Sequence, residues 1–300
     1  MLPNRVLPGL GLALLLASCT VTRTTPPEQV MAGDHLAARL ECLHYEPAQH
    51  LNTCKVYHHV FAPDGRLLTK GLGGAYEHHR GLFIGWNKVK SGGQTFDFWH
   101  CSKGETQRFV AFEQPGLMGL ADDWQVARID WVGPDGRTLL HERRAMRARL
   151  RADGSSELDV QIGLRAADAT VVLDGDPQHA GHQFRALQQF AEKDAGVRYV
   201  RPAEAHARAD DVWTDCDWSA AVLPFSSGAV TVLRIEGRAN PKPATWATRG
   251  YGRFGAMVRC EVTNDVELRL GYTYVIATGE HDAAWCTGCA TDAATANQGG

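Results

Sequence analysis

The chain of 300 residues has no basic tract and no acidic tail, and its formal net charge is −3 with both signs interspersed. A nucleic-acid partner needs a concentrated positive face, so that class is set aside. Beyond the N-terminus no apolar run approaches the ~20 residues of a membrane-spanning helix. No serine sits in a nucleophile elbow, no glycine loop is spaced to cradle phosphate, and no His-Glu-x-x-His pattern occurs. Acyl transfer and nucleotide chemistry therefore lack their usual machinery. Long amphipathic helices are nearly missing, no internal repeat is visible, and no break in composition marks a second domain.

What is present has globular composition, 44% hydrophobic and 22% charged. Residues 55–62 read as a strand ending at the turn Pro63-Asp64-Gly65, and residues 66–69 follow. Segments 81–86 and 95–99 are short, aromatic and bounded by glycines, which is strand-like. A meander occupies the middle: 124–132, a turn at 133–136, 138–150, a turn at 152–155, then 157–164. In the last of these Leu158, Val160, Ile162 and Leu164 share one face, as in a half-buried antiparallel sheet. Strands are also expected at 169–173, 183–190, 229–236, 255–262 and 266–276, and helices only at 28–40 and 203–212. The count predicts an all-β fold, a large antiparallel β-sandwich forming one domain over 34–289. Residues 290–300 read as a disordered tail.

The N-terminus reads as a targeting segment. Arg5 supplies positive charge, Leu10–Ala17 is apolar, and Leu16-Ala17-Ser18-Cys19 matches a bacterial lipoprotein box. Residues 1–18 are then a signal peptide, Cys19 is the lipidated residue and 19–33 form a tether. The protein is expected outside the cytoplasm, facing the periplasm or cell surface, and touching a membrane through its lipid alone. An ordinary secretory signal with a chance cysteine is the alternative. Seven further cysteines remain: Cys42, Cys54, Cys101, Cys216, Cys260, Cys286 and Cys289. Cys42 with Cys54 and Cys286 with Cys289 are the local disulfide guesses, although spacing does not fix connectivity. Cys286 and Cys289 also have the spacing of a zinc half-site or a redox pair.

Two polar blocks carry the chemistry. Residues 71–101 hold His78, His79, His100, Arg80, Asp97, Trp86 and Trp99 among many glycines, and residues 174–185 hold His179, Gln183 and Arg185. The two blocks are expected to meet in one pocket. If 179–185 is extended, His179, Gly181, Gln183 and Arg185 share a face, with His182 and Phe184 opposite. By the same rule His78 and Arg80 share a face with His79 opposite, and Asp97 opposes His100 unless a bulge or strand end re-aims one of them. Tryptophan beside Arg, Asn and Asp suits a sugar, which offers an apolar ring face and a rim of hydroxyls; Trp86, Asn87, Trp99 and Arg185 fit. Trp86 is equally readable as core. Glu142 is either a carboxylate near the pocket or a solvated strand residue, and Arg249, Tyr251 and Arg253 form a second wall or a packed edge.

Segments 73–83 (GGAYEHHRGLF), 97–101 (DFWHC), 175–185 (GDPQHAGHQFR), 240–243 (NPKP) and 251–255 (YGRFG) resemble the bacterial PmoA-like family, over most of 42–289. His182 departs from that pattern and is left out of the site. The family's label refers to methane oxygenase, whose membrane subunit has several apolar spans that this chain lacks. The resemblance implies an exported domain with a sandwich similar to the galactose-mutarotase-like supersandwiches. Those bind sugars on a concave sheet face with histidines and carboxylates.

The expected function is proton transfer on a carbohydrate or sugar derivative, as an epimerase, lyase or hydrolase. His79, His100 and His179 are the proton carriers, with Glu142 or Asp97 as partner. His78, Arg80, Trp86, Asn87, Trp99, Gln183, Arg185 and Arg253 would bind a small-molecule or oligosaccharide ligand. No cofactor is required. The alternatives are a non-catalytic sugar-binding surface lipoprotein and an oxygenase whose histidines hold copper or iron.

Overall fold

A computed structural model describes residues 27–191, 195–205, 211–214 and 216–296. The signal peptide, Cys19 and most of the tether lie outside the described residues. Two eight-stranded antiparallel sheets pack face to face as a β-sandwich. The first runs, in spatial order, Gln29–Ala32, His35–Glu41, Tyr57–Val60, Leu82–Trp86, Ala180–Arg185, Arg253–Met257, Thr245–Arg249 and Val212–Thr214. The second runs Arg198–Val200, Trp218–Leu223, Val230–Glu236, Leu268–Thr278, Ser156–Ala166, Thr138–Leu150, Gln125–Val132 and Thr106–Phe112. A smaller sheet of four strands, Cys260–Val262, Val171–Asp174, Lys88–Ser91 and Gln94–Phe96, continues several of these chains at one end.

Side chains alternate between the faces of a strand, so register decides which residues form the core. In the second sheet Leu158 pairs with Tyr274 and Leu164 with Leu268, and Leu158, Val160, Ile162 and Leu164 are all buried in the sandwich. They meet Leu82, Ile84, Trp86, Phe184 and Phe254 from the first sheet. The opposite parity of the first sheet, Phe83, Gln183, Arg185 and Arg253, points away from that core. It is nonetheless buried, because two excursions of the chain fold back over it. Those excursions are residues 70–81 and 97–101.

Four expectations need correction. Residues 28–40 are two strands joined at Gly33 (φ 60°), because Val30 and Ala32, then Ala38 and Leu40, bury on alternate positions. Residues 255–262 break into Arg253–Met257 and Cys260–Val262, which belong to different sheets. The tail expected at 290–300 is helical as far as Ala296, within the helix Ala283–Ala296, and 297–300 lie outside the described residues; this alanine-rich helix packs Cys286, Cys289 and Ala293 against Trp218, Leu233, Ile235 and Val275. Helix is not found at 203–205, and the centre of the segment expected to be helical, 206–210, lies outside the described residues. Among the described residues no helix is long and apolar enough to cross a membrane.

Candidate functional site

The site is built on the outer face of the first sheet. Gly85 makes room for it: a Cβ there would stand 2.6 Å from the Phe98 carbonyl oxygen, so the 97–101 turn lies flat on the sheet. Gly81 (φ 28°) similarly lets the 70–81 excursion rejoin the sheet, where a Cβ would be 2.2 Å from the His58 carbonyl oxygen. Lysines hold both excursions by their carbonyls. The Lys55 ammonium donates to His78 O at 2.7 Å and to Trp99 O. Lys70 donates to the carbonyls of Gly71, Gly73 and His79.

The strand beginning at Gln94 stops at Phe96, and the next residues make a turn in which Asp97 caps the chain that follows. Asp97 Oδ1 accepts the N–H of Trp99 (3.0 Å) and of His100 (2.8 Å), while Oδ2 lies 2.7 Å from His100 Nδ1. Asp97 and His100 thus act together, the strand end having released both from strand parity. The same construction occurs at Asp176-Pro177-Gln178-His179. Asp176 Oδ1 accepts Gln178 N–H (3.0 Å) and lies 2.8 Å from His179 Nδ1. Asn87 braces this second turn, donating to Asp176 Oδ2 at 2.7 Å, and so supports the turn rather than facing a ligand. A carboxylate on Nδ1 fixes the neutral imidazole with its proton there and leaves Nε2 as the acceptor.

The two histidines meet, with ring centroids 5.1 Å apart. His78 joins at 4.6 Å from His100 and 4.2 Å from His79. His79 lies 5.8 Å from Trp99, and Trp99 lies 6.1 Å from His179. All four predicted histidines therefore belong to one cluster. Residues 71–81 are turns rather than strand, so the expected opposition of His78 and His79 does not occur. His100 and His179 remain part-exposed, 31% and 38% at the side chain, whereas His79 is buried with neither ring nitrogen partnered among the described residues. Trp99 is also buried, its indole N–H without a partner among the described residues. Tyr76 stacks on Tyr251 at 4.9 Å beside His79.

Beneath the cluster lie cations whose partners are carbonyls and neutral side chains. Arg253 lies over Trp99 and donates to Gln183 Oε1 (3.3 Å) and Gln178. Arg185 donates to Tyr251 O (2.6 Å) and Ala186 O (2.8 Å) and stacks under the Tyr251 ring. Arg80 donates to Leu51 O (2.8 Å). None of Lys55, Arg80, Arg185 and Arg253 forms a carboxylate ion pair among the described residues. Burial is the first cause lowering the pKa of each; Arg185 falls to about 10. Burial, reinforced by Lys55, pushes His78 down to about 3, and burial also holds His79 far below its ordinary value. His179 is lowered by burial against the opposing pull of Asp176. Burial works to raise Asp97 and Asp176, but contacts with their histidines outweigh it and keep both carboxylates low.

Two predicted site residues belong elsewhere. Glu142 is fully buried between the sheets, bonded to Arg144 Nε and Trp131 Nε1 at 2.7 Å each; strand parity turns it inward. Trp86 also points inward, donating to Val258 O at 3.1 Å and packing 6.1 Å from Trp131. Arg80, Gln183, Arg185 and Arg253 sit below the histidines as a support layer rather than on the open side. Leaving His182 out agrees with its place in the sandwich interior, stacked 4.4 Å from Tyr272. Asp176, Tyr76 and Lys55 were missed. The repeated Asp-x-x-His spacing at 97–100 and 176–179 was the available signal for Asp176.

Among the described residues no group of three or more His, Cys, Asp or Glu side chains is arranged to hold a metal ion. The seven described cysteines are free thiols, so neither local disulfide guess is formed.

No curated protein matches the chain. Among solved structures, a putative kojibiose phosphorylase from human microbiome is similar over 86% of this chain at 7% identity, with a TM-score of 0.34. The chain spans 28% of that protein's length. The profile of a family of unknown function, DUF6807, matches residues 29–289. The chain therefore belongs to the DUF6807 family.

Proposed function

We propose that this protein transfers protons to and from a carbohydrate or sugar derivative, as an epimerase or lyase, with His100 and His179 as the proton carriers. The observation that supports it is the pair of Asp–His turns with rings 5.1 Å apart, set over buried cations that have no carboxylate partner among the described residues. A neutral imidazole backed by a carboxylate is a competent base near neutral pH. A C–H beside a carbonyl or carboxylate leaves negative charge on oxygen as its proton departs, and fixed buried cations stabilise that charge. The same cations oppose the positive, oxocarbenium-like transition state of glycoside cleavage, and both aspartates are already committed to histidines. Hydrolysis is therefore the weakest of the three expected reactions. Export and anchoring through Cys19, and kinship with the PmoA-like family, belong to the same proposal.

A second reading, a non-catalytic sugar-binding surface, is favoured by Tyr76, which is 49% exposed and stacked on Tyr251 as an open aromatic platform. Turnover assays on keto-sugars, uronates and unsaturated sugar acids separate the two. His100→Gln and His179→Gln should each lower kcat by about 10²–10⁴-fold on the active substrate. Tight binding with no turnover, unchanged in both variants, would establish the binding reading instead.

A further inference from the structure

We propose that Cys54 and Cys101 are a redox pair that closes to a disulfide directly behind the histidine cluster. The two cysteines are far apart in sequence, yet the fold brings their segments together at several points. Cys54 ends the short helix His50–Thr53, its N–H bonded to His50 O at 2.9 Å. Cys101 ends the Asp97 turn, its N–H bonded to Asp97 O at 2.9 Å. His50 Nε2 reaches the Cys101 carbonyl, and Lys55, next to Cys54, holds the Trp99 carbonyl. Cys101 takes a left-handed backbone (φ 56°), uncommon for a residue with a side chain. Both thiols are buried, at 3% and 0% exposure; the Cys54 thiol points back to Leu51 O at 3.8 Å, and each thiol lies close enough to shift the titration of the other.

The surroundings also choose which sulfur reacts first. The Cys101 thiol, then the charges of Lys55, His50 and Arg80, draw the Cys54 thiol below its ordinary pKa, while burial first of all raises Cys101. Cys54 is thus the attacking thiolate, and because it is 3% exposed the attack requires local opening of the chain around it. It attacks one sulfur of an external disulfide, a small-molecule disulfide or an oxidised dithiol protein, and expels a thiolate. That thiolate takes up the Cys101 proton. Cys101 sulfur then attacks Cys54 sulfur and releases the second external thiol. The sum is two protein thiols and one external disulfide going to one protein disulfide and two external thiols. The product would fasten the turn bearing Asp97 and His100 to the chain beside Lys55.

The test uses the full chain, purified reduced and equilibrated in glutathione buffers of rising disulfide content. Samples are acid-quenched, alkylated in denaturant and peptide-mapped. The expected result is a Cys54–Cys101 linked peptide formed ahead of any other pair, with Tm raised by roughly 5–10 °C for a closed loop of this length. Cys54→Ser and Cys101→Ser should each lose both the link and the gain in Tm. If Cys101→Ser does not fold, Cys54→Ser carries the comparison alone. Full labelling of both thiols in the most oxidising buffer, or prior linkage of a different pair such as Cys286–Cys289, would overturn the proposal.

Discussion

The sandwich interior and the outer face of its first sheet both bury histidines and arginines, but they settle the cost differently. In the interior Arg144 is hydrogen-bonded to Glu142 at 2.7 Å, and Arg234 has Glu236 as a counter-charge at 2.9 Å without the geometry of a hydrogen bond. His58 finds Gln125 at 3.0 Å and His182 finds Tyr274 at 3.1 Å. On the outer face Lys55, Arg185 and Arg253 have no carboxylate among the described residues, and neither His79 nitrogen has a protein partner. Buried charge that is paired holds a fold in one arrangement; buried charge left unpaired is a standing field for something that arrives. The proposed function rests on that difference.

The largest expected effects should divide along that line. His100→Gln and His179→Gln are surface-facing changes that should leave Tm within a few degrees while removing most turnover. Glu142→Gln should do the reverse. It strands Arg144 between the sheets and should lower stability by about 3–5 kcal/mol in urea titration, with kcat per folded molecule retained. A large loss of stability in the histidine variants and none in Glu142→Gln would invert that difference.

Asp97→Asn and Asp176→Asn come next. Each removes the acceptor that fixes the histidine tautomer, so kcat should fall by roughly 10-fold or more with KM little changed. Equal losses would show that the two turns work as a unit. A loss confined to one would name the histidine that carries the proton.

The pH dependence of stability is a smaller and shared effect. His58 and His78, both at about 3, and His79 and His182 have folded pKa values below the unfolded value near 6.5. The unfolded chain therefore binds more protons as pH falls. The stability these groups contribute is complete above about 6.5 and declines below it, by up to about 1.4 kcal/mol per pH unit per histidine. Asp97 and Asp176, also lowered, add their loss only below about pH 4. Urea midpoints at pH 7.5, 6 and 5 check the first step. His79→Phe should flatten it slightly, and no change in slope would mean that His79 is already protonated in the fold.

The sandwich was legible because period-two alternation is a local signal, as Leu158 to Leu164 show. The same rule also turns Glu142 inward beside Leu140 and Arg144, but its charge invited a surface reading. The histidine cluster was legible as composition and not as geometry. His78 and His79 come together because 71–81 is a chain of turns pinned by Lys55 and Lys70, and no residue pattern in that segment announces those long-range bonds. Asp97 and His100 meet because the strand ends at Phe96, a boundary that propensity places poorly. The approach of Cys54 to Cys101 depends on how the sheet is covered, which local spacing cannot express.

The most direct measurement is proton exchange at carbon. Candidate keto-sugars and uronates are incubated with the protein in D2O and followed by proton NMR. Wild type should exchange one C–H for deuterium, and His100→Gln and His179→Gln should lose that exchange while remaining folded. A substrate turned over without exchange at carbon, or exchange undiminished in both variants, would contradict the account.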